Sequence, residues 1–241
     1  MSRKEIIILG TRGIPAKHGG FETFAENLAL YLVQNDWQVT VYCQSDLPDS
    51  AVFITEWRNI RLVHLAPVFQ GKLVDNAIGT ILFDFRAIIH ALKNTRSAVW
   101  LVLGYNTAFL NILPRIKGIK QIFNMDGIEW RRDKWNWLAR VYLYINYKIA
   151  GWAGNRLIAD HPEIENILRK DFNGQNITMI PYGSHVISDA DTALLDNYNL
   201  EAGKYLLLIA RLEPENNILP IVKAWSKMPR IRKLVIVGNY L

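Results

Sequence analysis

Apolar and polar positions fall into blocks along the chain, and most blocks carry a clear period. Ile6-Ile7-Ile8-Leu9 has no polar break, which predicts a strand covered on both faces. Phe21, Phe24, Ala25, Leu28, Ala29, Leu32 and Val33 follow helical spacing, so a helix with one apolar stripe comes next. Val39–Tyr42 and Ile60–Val63 predict two more strands, and the apolar positions from Val74 to Leu92 mark a long helix. Strands over Val99–Leu103, Lys120–Phe123, Arg156–Ala159 and Ile177–Ile180 then alternate with helices over Trp137–Trp152 and Pro162–Leu168. That order predicts an α/β fold, a doubly wound Rossmann-like parallel sheet.

The rhythm fades between Gly183 and Lys204 and resumes as Tyr205–Ile209, Ile218–Trp225 and Leu234–Val237, the start of a second α/β unit. The expected organisation is a first domain over residues 1–181, then a linker and the first βαβ of a second domain over 182–241. A lone βαβ cannot close a sheet, so the sequence reads as a C-terminally truncated piece.

Composition narrows the setting. One cysteine, Cys43, excludes an internal disulfide framework and fits a reducing cytoplasm. The start is charged and passes straight into a strand, unlike a signal peptide. No apolar run nears the ~18 residues of a membrane span. The net charge of +6 suits anionic partners without choosing among them.

The stretch after the first strand, Gly10 to Gly20, matches neither the dinucleotide nor the P-loop glycine spacing. It does place Gly19-Gly20 at a helix start, where backbone N–H groups can approach an anion; a tight turn explains the glycines equally well. Glu22 and Glu26 suit the positive end of the helix dipole. Tyr144 and Lys148 have the spacing of a dehydrogenase pair on one helical face, and the alternative function is an NAD(P)-dependent nucleotide-sugar oxidoreductase. Asp189 and Asp191 form a carboxylate pair in the connector, where a solvated loop is the simpler reading. No His/Cys cluster has metal-ligand spacing.

Four stretches taken in order, "GTRGIPAKHGGFETF", "NMDGIEWRRDKW", "IPYGS" and "ARLEPENNI", resemble family 4 glycosyltransferases of GT-B type. The nearest likeness is to the rhamnosyltransferase-like branch of bacterial polysaccharide biosynthesis. The resemblance implies two Rossmann-like domains, an acceptor-side first domain and a donor-binding second one. It implies a retaining hexosyltransferase that moves a sugar, rhamnose from dTDP-rhamnose in this branch, to a saccharide or lipid-linked acceptor. The leaving diphosphate takes the acceptor's proton, so neither a protein nucleophile, a cofactor nor an essential metal is implied, and nucleic acid is not a partner. Carried over by position, Asp126 is the catalytic residue that touches the transferred sugar. Gly19, Gly20, Arg211, Glu215 and Asn216 bind the donor, and Glu129 and Arg131 orient the acceptor. Asn216 stands where many relatives carry Lys, so one phosphate-binding cation is absent. The paired glutamates of the family's donor site are also absent, and the chain alone is expected to be inactive. A non-catalytic acceptor-binding fragment is the remaining alternative.

Trp130, Trp135, Trp137 and Trp152 interleave with Arg131, Arg132, Lys134, Arg140 and Lys148. Such a basic-aromatic segment implies peripheral contact with an anionic membrane at its inner, cytoplasmic face. The stripe Trp137, Leu138, Val141, Tyr142, Ile145, Ile149, Trp152 serves equally well as core.

Overall fold

In a computed structural model, residues 4–17, 19–45, 52–66, 77–95, 98–184 and 186–238 are described, apart from the Glu215 side chain. They form two compact units, Met1–Tyr182 and Gly183–Leu241.

The first unit is one eight-stranded sheet. Its strands are β1 (Lys4–Leu9), β2 (Trp37–Gln44), β3 (Phe53–Trp57), β4 (Ile60–Leu65), β5 (Val99–Leu103), β6 (Gln121–Asn124), β7 (Arg156–Ala159) and β8 (Ile177–Met179). The spatial order is β3-β4-β2-β1-β5-β6-β7-β8, parallel except for β3, which pairs antiparallel with β4. The helices are α1 (Gly20–Gln34), α2 (Ala77–Asn94), α3 (Ile112–Ile116), α4 (Trp137–Ala153) and α5 (Pro162–Asp171). Val74, placed in the second helix by its spacing, lies outside the described residues.

Alternation along the strands sends side chains to both faces of the sheet, where they form three cores. Ile6, Ile8, Leu101 and Leu103 pack with Ala25 and Ala29 of α1. Ile7, Leu9 and Trp100 face Phe83, Ala87 and Ala91 of α2, while Val102, Phe123 and Leu157 face Tyr147 and Ala150 of α4. The chain leaves β1 toward β2 on one side and returns to pair β5 on the other. The β1/β5 boundary is therefore the switch point beside which open α/β sheets hold ligands, at the carboxyl ends of the strands.

The second unit is small. Strands β9 (Tyr205–Ile209) and β10 (Lys233–Val237) pair in parallel, with α6 (Ile218–Trp225) between them in the chain. Leu207, Ile209 and Val237 are exposed on this two-stranded sheet.

Candidate functional site

Loops converge at the carboxyl ends of β1, β5, β6 and β7. Gly10 begins the first at φ +80, and a Cβ there would stand 2.3 Å from the Leu103 carbonyl of β5. The loop is fixed by carboxylates of its own helix. The Arg12 N–H (2.9 Å) and the Thr11 hydroxyl (3.3 Å) donate to Glu22 Oε1, and the Ala16 N–H (2.6 Å) donates to Glu26 Oε2. Glu22 is buried, so these two glutamates are tethers rather than surface charges at a helix start. Gly19, at φ +94, leaves room for Glu22, whose Oε2 would lie 2.1 Å from an added Cβ. At Gly20 nothing lies within 4 Å of that position, so the first residue of α1 faces open space.

Tyr105 and Asp126 follow β5 and β6. The buried Tyr105 hydroxyl accepts from the Glu129 N–H (2.6 Å) and donates to the Gly127 carbonyl (3.3 Å), pinning the turn that carries Asp126. Gly127, at φ +73, makes that turn in the left-handed region. Asp126 lies beside Asp160, the residue after β7. Burial, a hydrogen bond to Asp160 and repulsion from Asp160 and Glu129 push the Asp126 carboxyl up to about 7, against the opposing pull of Arg132. Asp160 Oδ1 is buried with no hydrogen-bond partner among the described residues. Asn124 Nδ2 donates to the Tyr182 hydroxyl (2.8 Å), and the Tyr182 ring stands edge-on to Phe24 of α1 (5.3 Å). Tyr182 thus links the first helix to the Asp126 corner.

Below the switch point, Leu9, Gly10, Asp84, Val102, Thr107 and Asn111 line a small cavity. The Thr107 hydroxyl donates to Asp84 Oδ2 (2.6 Å), and burial pushes Asp84 up to about 6.

Other residues singled out in the sequence stand elsewhere or are engaged. Glu129 takes the Arg132 guanidinium and lies 4.0 Å from Lys134 Nζ and 3.4 Å from the Trp135 indole nitrogen. Arg131 is exposed and rests over the Trp130 ring (4.8 Å). Lys148 is enclosed by the rings of Tyr144, Tyr147 and Phe172 (5.0–5.6 Å), which does not favour the oxidoreductase alternative. Asp191 caps the next turn through the Ala193 N–H (2.9 Å), and Asp189 takes the Ser188 hydroxyl. In the second unit Arg211 is exposed after β9, and Asn216 Nδ2 donates to its carbonyl (2.7 Å). The Glu215 side chain lies outside the described residues. Among the described residues no group of three or more His, Cys, Asp or Glu could hold a metal ion.

Asp160, Asn124 and Tyr182 were not foreseen as site residues. Asp160 directly follows a strand, as Asp126 almost does, and the carboxyl-end rule applied to β7 would have found it.

A model of the family described as "Domain of unknown function (DUF1972)" matches residues 3–185. The chain belongs to this family. The matched stretch takes in the opening loop, Asp126 and Asp160. No curated protein matches the chain. Among solved structures it is similar to a sucrose-phosphate synthase from Thermosynechococcus elongatus, at 16% identity and a TM-score of 0.70, over 98% of this chain and 63% of that one. It is also similar to the catalytic domain of starch synthase IV from Arabidopsis thaliana bound to ADP and acarbose. That likeness has 12% identity and a TM-score of 0.66, over 98% of this chain and 68% of that one. For the trehalose 6-phosphate synthase of Burkholderia multivorans, the values are 11%, 0.59, 99% and 64%. The chain therefore spans about two thirds of each structure. At these identities the likeness establishes the fold alone: Rossmann-like α/β units of GT-B type.

Proposed function

We propose that this protein transfers a sugar from a nucleotide-sugar donor to a saccharide or lipid-linked acceptor, with retention of configuration. One observation carries the reading. A carboxyl pair, Asp126 and Asp160, stands at the carboxyl edge of a sheet whose fold is shared with sugar-transferring enzymes. Starch synthase IV was solved with ADP and acarbose, a nucleotide and a saccharide, which is the ligand pair such a reaction needs.

In this reading the first unit serves the acceptor and the second the donor. Asp126 and Asp160 accept hydrogen bonds from sugar hydroxyls, with Asp126 against the transferred sugar. The open space at Gly20 admits a diphosphate to the first N–H groups of α1, whose dipole favours an anion. In the second unit Arg211 offers a guanidinium fork suited to a diphosphate, and Glu215 and Asn216 follow it in the chain as further donor-binding residues. Glu129, already paired, orients the acceptor by holding Arg132, and Arg131 offers an exposed cation. The protein would supply position and charge stabilisation as the glycosidic bond loosens. In the finer form of the proposal the donor is dTDP-rhamnose, and a lipid-linked acceptor holds the protein at the cytoplasmic face of a membrane.

The test is turnover of dTDP-rhamnose, UDP-glucose and ADP-glucose in the presence of saccharide acceptors, with the second unit completed by its natural continuation if the gene has one. Release of nucleoside diphosphate that falls at least a hundredfold in Asp126→Asn supports the reading; that loss corresponds to roughly 2.7 kcal/mol. Saturable binding of NADPH without sugar transfer would replace it with the oxidoreductase.

A further inference from the structure

Helix α4 is apolar on both sides, and only one side is used. Leu143, Tyr147 and Ala150 pack inward, and Gly151 is pressed against the Phe172 ring. The opposite side presents Trp137 (71% exposed), Val141, Ile145 (51%) and Trp152 (51%) to solvent. The neighbouring α3 adds Ile116, which is 72% exposed. Single exposed apolar residues are ordinary, but a contiguous stripe of large ones marks a contact surface.

Charge identifies the partner. Residues 106–125 and 134–159, which hold both helices, contain Arg115, Lys117, Lys120, Lys134, Arg140, Lys148 and Arg156 and no Asp or Glu. Arg140 is paired with Asp133 (3.0 Å) and Lys148 is enclosed by rings. Arg115, Lys117 and Lys120 have no carboxylate partner among the described residues. A second copy set against this face would bring like charges together across a two-fold axis. An anionic surface meets them favourably. The two tryptophans stand in the first and last turns of α4, about 22 Å apart at helical rise, and indoles favour the boundary between headgroups and acyl chains.

We propose that the outer face of α4, flanked by α3, lies on an anionic lipid surface. The helix would rest in the plane of the interface with its indoles among the headgroups, while Arg115 of α3 and Lys117 and Lys120 after it meet lipid phosphates. This contact does not depend on sugar transfer, and its test uses no sugar.

The test is co-flotation with vesicles of phosphatidylcholine alone and of phosphatidylcholine mixed with phosphatidylglycerol. Tryptophan emission and light scattering are read alongside. The expected result is binding to the mixed vesicles, a blue shift of emission, and release as salt rises from about 0.05 to about 0.5 M. The double variant Trp137→Ser/Ile145→Ser should bind about tenfold or more weakly, and Lys117→Glu/Lys120→Glu should lose the preference for anionic lipid. Both change exposed side chains, so thermal unfolding should match the wild type. Equal flotation with both vesicle types, or binding that ignores the Trp137/Ile145 change, would overturn the proposal. So would a wild-type dimer that the same change converts to a monomer without vesicle binding.

Discussion

Glycines 13 and 20 bracket what the opening loop can tolerate. A Cβ on Gly13, at φ +125, would lie 2.7 Å from Cys43 Cβ, so Gly13→Ala should destabilise the first unit by about 2 kcal/mol or more, read from urea unfolding. Gly20→Val should leave that unfolding curve in place and weaken donor binding in calorimetry, because its side chain would occupy the open space a diphosphate needs. Unchanged donor affinity would reduce Gly20 to a turn residue. Two carboxyl groups give opposite readouts of pH. Asp84 moves from 3.8 to about 6 in the fold, so the native state holds its proton more tightly than the unfolded chain. Its favourable contribution is complete below about 4 and is lost as pH rises through about 6, with roughly 3 kcal/mol at stake. Asp84→Asn keeps an acceptor for Thr107 and should raise the melting temperature at pH 8 while changing little at pH 4. Asp126, raised to about 7, must lose its proton before both carboxylates of the pair can accept ligand hydroxyls. Saccharide affinity should therefore rise between pH 6 and 8, and Asp126→Asn should flatten that profile.

The elements differ in how plainly the chain announces them. Strands β1, β2, β4 and β5 are read directly from apolar runs because α1 and α2 cover both their faces. β3 escaped notice: at the sheet edge, with Ile54, Thr55 and Glu56 exposed, it needs no apolar alternation. The α4 stripe was visible as a period but not as a direction. Large residues stand outward while small ones, Ala150, Gly151 and Ala153, allow close approach within, and periodicity weighs size the wrong way there. Asp126 and the Gly19-Gly20 helix start were legible in sequence; Asp160 could be read as the residue at the carboxyl end of β7, but its pairing with Asp126 could not, because that arises where two strands meet in space. Asn136 caps α4 through the Ala139 N–H (2.9 Å), so Asn136→Ala should cost about 1 kcal/mol of stability in thermal unfolding. A change near zero would mean that tertiary contacts alone fix that helix end.

On the scale of the whole chain, stability is unevenly divided. The first unit owns the three buried cores, whereas β9 and β10 leave most of their apolar side chains uncovered. Residues 1–182 expressed alone should therefore unfold cooperatively, with a midpoint in urea close to that of the whole chain. Loss of cooperativity in that piece would show that the first unit leans on the second. The crossover at the centre of the sheet also has a kinetic consequence. β1 is made first, yet its second neighbour is β5, with Ile6 paired to Val99. During synthesis at about 5–20 residues per second, the β1–β2–β4 half must wait several seconds with one edge of β1 unpaired. The strand that carries Ile6-Ile7-Ile8-Leu9 is thus also an open template while the ribosome is still at work, and chaperone capture of the nascent chain should peak before β5 emerges.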